Sequence, residues 1–283
     1  VEAIDGNLQH VEGTLAAPPD RARKVVVVGG GPAGLTAARV AAERGHDVSL
    51  LERDAETLGG QFALSHLAPG KQAMRATVDS LVELARQSGA EIRQGVEATA
   101  ALVQELEPDA VVVATGAEPI VPPIPGLEHV LTGEDALTGA IDSSQNVLVI
   151  GGGMVGVEVA EHLAEQGRGV VVVEMLDEIA RDMVPITRKL TLGRLSALPV
   201  TIHTGTTVTR VHADGRVTAH GPDGELELGP FDAVVVAAGT RPRHGLAAEL
   251  EQSGLEVHVV GDAAELAQVQ GAVRSAWRVA RQL

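Results

Sequence analysis

Residues 24–34 read KVVVVGGGPAG, and residues 146–156 read NVLVIGGGMVG. Each opens with a short β-branched and aliphatic run, the composition of a parallel strand covered on both faces. Each run ends directly in a glycine cluster. Helical composition follows in both: LTAARVAAERGH closed by Gly45, and VEVAEHLAEQG closed by Gly167. A second strand comes next, DVSLLE at 47–52 and GVVVVE at 169–174. The chain therefore carries a duplicated strand–helix–strand unit, with copies about 120 residues apart.

In the first unit Gly29, Gly31 and Gly34 form G-x-G-x-x-G. The first glycine permits the sharp strand-to-helix turn. The second lets a pyrophosphate approach the backbone, and the third lets the helix pack against the strand. The helix start, at Pro32 and Ala33, then turns unpaired N–H groups and the positive end of its dipole toward an anion. Glu52, followed by Arg53, closes the second strand, where a carboxylate can accept both ribose hydroxyls. In the second unit Gly151, Gly153 and Gly156 take the same roles, with Val155 in the turn and Glu174 in the place of Glu52. A carboxylate at Glu174 accepts from a ribose 2′-hydroxyl and repels a 2′-phosphate, so NADH is favoured over NADPH. The bland readings are a glycine-rich turn and a solvated strand-end charge. A strand before, a helix after and an acid at the next strand end favour nucleotide binding in both units.

The rest of the chain fits around these units. A helix is expected near 71–88, a strand at 110–114, and a β-hairpin region in TIHTGTTVTRVHADGRVTAH, which alternates polar and apolar residues and carries an Asp-Gly turn. DAVVVATG at 109–116 is mirrored by DAVVVAAG at 232–239, and a final helix is expected over 264–282. Residues 1–22 show no strong periodicity and end in a Pro-Pro-Asp turn signal, so they read as a linker or docking arm. They do not read as a signal peptide.

Composition excludes several functions. A net charge of −16 opposes binding to nucleic acid and to anionic membrane surfaces. No apolar run approaches the roughly 20 residues of a membrane span. With no cysteine, the chain has no disulfide, thiolate nucleophile, dithiol or cysteine-held iron–sulfur cluster, which accords with a cytoplasmic location. The histidines lack metal-ligand spacing. No Walker lysine follows either loop, and Ser65-His66 stands without a nucleophile elbow. No catalytic side chain is expected, because none of these signatures is present and a nucleotide-binding chain can leave the reactivity to its cofactor.

The sequence also resembles a known family. GGGPAG, LLERD, LGGQF at 58–62, APGK at 68–71, DAVVVATG and Gly261-Asp262 resemble the C-terminal reductase half of the 2,4-dienoyl-CoA reductase and trimethylamine dehydrogenase family, over residues 23–283. The resemblance implies an α/β fold of two nested Rossmann-like dinucleotide-binding domains. It places FAD in an outer domain of residues 23–116 plus 229–283 and NADH in an inner domain of residues 117–228. Gly59, Gly60 and Gln61 would lie near the FAD phosphates or ribityl chain, and Asp262, beside Gly261, would accept from a ribityl hydroxyl. Thr115-Gly116 and Gly239-Thr240 would be the crossover points between domains. Family members usually carry an N-terminal barrel with FMN and an iron–sulfur cluster, so the expected partner is such a subunit in a hetero-oligomer. The expected function is an NADH-linked, FAD-containing oxidoreductase subunit. The alternative, from the amine dehydrogenase branch, is a non-catalytic module holding ADP in place of FAD.

Overall fold

The computed structural model describes residues 21–128, 131–141 and 143–283. The expected arm, residues 1–22, lies outside the described residues except for its last two. The described chain divides into two compact units. The first comprises residues 21–65, 73–118 and 241–283, and the second residues 66–72 and 119–240.

The first unit is built on a parallel sheet of β1 (Lys24–Val28), β2 (Asp47–Glu52), β3 (Glu91–Gln94), β4 (Ala110–Val113) and β15 (Val257–Val259), in the order β15-β4-β1-β2-β3. Strand side chains alternate faces, so the valine run of β1 serves two cores. Val25 and Val27 pack with α1 (Pro32–Glu43), α2 (Met74–Gln87) and α8 (Val269–Ala280). Val26 and Val28 pack with α3 (Ala100–Glu105) and α7 (Gly245–Gln252). Helices on both faces explain why β1 lacks a polar side.

The second unit repeats the plan. Its parallel sheet runs β6-β13-β7-β8-β9, from β6 (Leu131–Thr132), β7 (Asn146–Ile150), β8 (Gly169–Val173), β9 (Val200–His203) and β13 (Ala233–Val236). One face packs on α4 (Gly133–Leu137), α5 (Met154–Glu165) and α6 (Pro185–Leu195). The other is covered by an antiparallel sheet of β10 (Thr207–Val211), β11 (Val217–Gly221) and β12 (Gly224–Leu228), which contributes Val208, Val217 and Leu228 to that core. A short ribbon pairs β5 (Ala117–Pro119) with β14 (Thr240–Pro242) at the points where the chain passes between units.

Three expectations change. Residues 66–72 and 229–240, assigned from sequence to the outer domain, fall in the second unit, the latter because β13 pairs with β6 and β7, and residues 117–118, assigned to the inner domain, fall in the first. The β13 valine run resembles that of β4 but finds the other sheet. Val200–His203 is not part of the hairpin region; it pairs parallel to β8, from Val170↔Val200 onward. The final helix begins at Val269, not 264, because the preceding segment loops back so that the Ala267 N–H donates to Asp262 Oδ1 at 3.1 Å.

Candidate nucleotide-binding sites

In the first unit each glycine of the G-x-G-x-x-G loop has a separate physical cause. Gly29 has φ +104°, and a Cβ there would lie 2.4 Å from the Ala114 carbonyl oxygen. A Cβ on Gly34 would lie 1.8 Å from the Gly29 oxygen. Packing within the protein demands both. Gly31 differs: its φ −74° and ψ −178° suit any residue, and among the described residues no atom beyond its chain neighbours lies within 4 Å of where a Cβ would stand. Among the described residues neither backbone conformation nor packing requires glycine there, which leaves room for close approach by a ligand. A space kept clear above a helix N-terminus fits a pyrophosphate.

Two other expected outer-site segments, Gly59–Gln61 and Gly261-Asp262, reach this loop. A Cβ on Gly60 would stand 3.2 Å from the Gly31 Cα, so the Gly59–Gln61 turn lies against the loop. Gly261, at φ +62°, packs so closely on Ala33 that a Cβ would come within 2.8 Å of the alanine methyl. That contact brings Asp262 to the start of α1. Asp262 is half-buried, and burial pushes its carboxyl above the usual range while the Ala267 N–H partly offsets this. The Gln61 amide reaches the Ala117 oxygen at 3.4 Å, and the Thr115 hydroxyl donates to the Arg243 oxygen. Gly116 has φ +69° and Gly239 φ +97°, backbone that glycine adopts most readily, at the two ends of the β5–β14 ribbon. Pro32 opens α1, and Arg53 is exposed just past β2.

Glu52 and Glu174 share one geometry. Glu52 Oε2 accepts from the Gly30 N–H at 2.6 Å, and Oε1 from the Asp54 N–H at 2.8 Å. Glu174 repeats this with the Gly152 and Leu176 N–H groups, at 2.6 and 2.8 Å. Each carboxylate braces its own glycine loop and keeps further lone pairs able to accept hydrogen bonds. The brace explains the middle glycine of each GGG, which sequence reasoning left without a role. A Cβ on Gly30 would meet Leu58 at 2.7 Å and Glu52 Oε2 at 3.0 Å, and one on Gly152 would meet Ile179 at 2.6 Å. The signal was present as three glycines where the motif asks for two.

In the inner loop Gly151 has φ +105°, and a Cβ would lie 2.3 Å from the Ala237 oxygen; one on Gly156 would lie 1.9 Å from the Gly151 oxygen. Val155 is exposed on the first turn of α5. Gly153 departs from its counterpart Gly31. A Cβ there would stand 3.3 Å from the Asp182 carboxylate, whose oxygens accept from the Met154 N–H at 2.8 and 3.0 Å.

Two further residues of the second unit form an ion pair. Lys71 Nζ lies 2.5 Å from Glu158 Oε1 on α5. Burial pushes the Glu158 carboxyl up, the Lys71 ammonium draws it down, and the charges of Glu161 and Asp182 add to the upward push; the net shift is upward. The sequence marked Lys71 only as the end of APGK, and nothing in the α5 pattern distinguishes Glu158 from an ordinary helix acid. Among the described residues no helix is long and apolar enough to cross a membrane, and no three ligand side chains gather as a metal site would require.

The family described as pyridine nucleotide-disulphide oxidoreductase matches residues 23–273. The NADH oxidase of Thermoanaerobacter brockii is 41% identical over 268 residues, covering 92% of this chain and 41% of that protein. Among solved structures, a 2-naphthoyl-CoA reductase in complex with 2-naphthoyl-CoA aligns with a TM-score of 0.89 at 28% identity, over 97% of this chain and 42% of that one. Histamine dehydrogenase from Rhizobium sp. 4-9 aligns with a TM-score of 0.82 at 27% identity, over 94% of this chain and 44% of that one. The chain thus spans about two-fifths of the length of these proteins.

Proposed function

The chain belongs to the pyridine nucleotide-disulphide oxidoreductase family, whose members bind FAD and NAD(P)H, and from that premise we propose that it is an NADH-linked flavoprotein module exchanging electrons with a partner that carries FMN or an iron–sulfur centre. The observation that carries the reading is the duplicated glycine loop, each copy braced by its own strand-end glutamate.

On this reading the outer unit holds FAD. The space above Gly31 receives the pyrophosphate, Glu52 accepts from the adenosine ribose, and Asp262 accepts from a ribityl hydroxyl. The inner unit holds NADH at Gly151–Gly156, with Glu174 on the adenosine ribose. Glu174 is 8% exposed, so a 2′-phosphate would meet a poorly screened charge, at a cost of roughly 1–3 kcal/mol. Bound FAD supplies the hydride acceptance and one-electron release that no side chain of a cysteine-free chain offers. What the chain's own residues do is bind, orient and exclude water. A partner is supported by the lack of any thiol in these residues to take electrons onward.

The test is optical. Purified protein should show flavin absorbance, and anaerobic NADH should bleach it at concentrations about tenfold or more below those NADPH requires. A colourless protein carrying ADP would replace this reading with the nucleotide-binding module.

A further inference from the structure

We propose that Asp182 is a built-in competitor of the dinucleotide pyrophosphate at the inner glycine loop, displaced whenever NADH binds. The inference rests on the assignment of NADH to the inner unit. Both Asp182 carboxylate oxygens accept from the Met154 N–H, at 2.8 and 3.0 Å. Met154 is the first residue of α5, so the carboxylate takes up an orphan donor and the positive end of the helix dipole. It also lies where the ligand should: Asp182 Oδ2 is 3.3 Å from the position of a Gly153 Cβ. Gly153, at φ −69° and ψ −173°, has backbone angles open to any residue, so the glycine serves close approach rather than conformation.

The outer loop provides the control. Its glycines follow the same path, with φ +104° at Gly29 against +105° at Gly151. Yet among the described residues no atom beyond the chain neighbours lies within 4 Å of the Gly31 Cβ position. The first residue of α1 is Pro32, which has no N–H to offer a carboxylate. One cradle is open, and its duplicate is filled by the protein's own anion. The difference matches two kinds of ligand. A resident cofactor gains from an open cradle. A dinucleotide that must leave after each turnover gains from a competitor that shortens its stay, since affinity differences are expressed mostly in the dissociation rate.

A pyrophosphate and a carboxylate cannot share one donor at these distances without strong repulsion. Asp182 lies in the segment between β8 and α6, where Arg181 pairs with Asp177 at 2.9 Å rather than with Asp182. Nucleotide entry therefore has to displace the carboxylate from the helix end, and the lost contact is subtracted from the affinity.

The experiment is calorimetric titration of the whole chain, as wild type, Asp182→Asn and Asp182→Ala, with NAD⁺, which carries the same pyrophosphate as NADH but passes no hydride to an oxidised flavin, and with adenosine. NAD⁺ should tighten about tenfold in both variants, while adenosine, which offers base and ribose but no phosphate, binds unchanged. Thermal stability should fall in Asp182→Ala, because the helix end loses its acceptor. A purely structural role for Asp182 would give the stability loss without the gain in affinity. NAD⁺ affinity unchanged or weaker in both variants, with folding verified by circular dichroism, overturns the proposal and leaves the inner-unit assignment standing. Equal tightening of adenosine also overturns it, because loop relaxation rather than phosphate competition would then be at work. If NAD⁺ binds neither wild type nor variants, the inner-unit assignment fails and this inference falls with it.

Discussion

At the scale of single residues, the glycines separate into those the fold demands and those it leaves unexplained. Gly29 and Gly34 are fixed by contact with backbone oxygens, and any Cβ would force the loop open. Gly31 has no left-handed φ, and among the described residues nothing beyond its chain neighbours lies within 4 Å of where its Cβ would stand. That contrast separates folding from binding in one substitution. Gly31→Val should fold with stability within about 1 kcal/mol of wild type and yet lose bound nucleotide. Gly34→Ala should fail to accumulate as folded protein. Chromatographic assay of nucleotide released from the purified protein, beside a thermal melt, reads both effects. A Gly31→Val protein that kept its full complement would refute the outer-site assignment.

At the scale of elements, α5 and α6 are joined by a buried charge. The Glu161 side chain is fully buried on α5, and the Arg194 guanidinium donates to both its oxygens from α6. The pairing holds the Arg194 guanidinium above its ordinary range, with the hydrogen bond to Glu161 the largest cause. Removing the partner strands a carboxylate away from water. Arg194→Met should therefore cost about 2–4 kcal/mol, toward the low end for a broken buried pair because Arg194 keeps nearly half its side chain in solvent. Urea denaturation measures it, and adding Glu161→Gln should recover much of the loss. If the double variant is as unstable as the single, packing of the Arg194 stem is the cause instead. Neither residue was legible in the sequence as a pair, since they are 33 positions apart and joined only by helix packing.

At the scale of the whole molecule, the start of the described chain is tied by charge to segments 86 and 233 residues further on. Arg23, ahead of β1, donates to both oxygens of Glu256, ahead of β15, and to the Asp109 carbonyl. The Arg23 hydrogen bond, then that of His258, depresses the Glu256 carboxyl from 4.5 to about 2. The folded state thus binds the Glu256 proton more weakly than the unfolded chain. The stability this contributes is complete above pH 4.5 and is lost as pH falls toward about 2. Glu256→Gln should be less stable than wild type at neutral pH, with the gap closing through that window. Denaturant melts at a series of pH values test it, and a gap that stays constant down to pH 2 would assign the loss to packing rather than to charge.

The sequence by itself determined the two strand–turn–helix units, their glycine loops and the strand-end glutamates. These are local patterns, set by side-chain periodicity and by positions where a Cβ cannot fit. Strand limits such as Lys24–Val28 and Asn146–Ile150 follow for the same reason, because a buried parallel strand is a continuous apolar run. What joins segments remote in sequence was decided only in three dimensions. The AVVV runs of β4 and β13 are the same four residues, and only strand pairing sends one to each sheet. The edge strand Val200–His203 alternates like a hairpin strand and becomes parallel because β8 offers it an open edge. Asp182, Lys71 and Glu158 are unremarkable in the chain. Their placement depends on where loops return onto α5, which no local periodicity encodes.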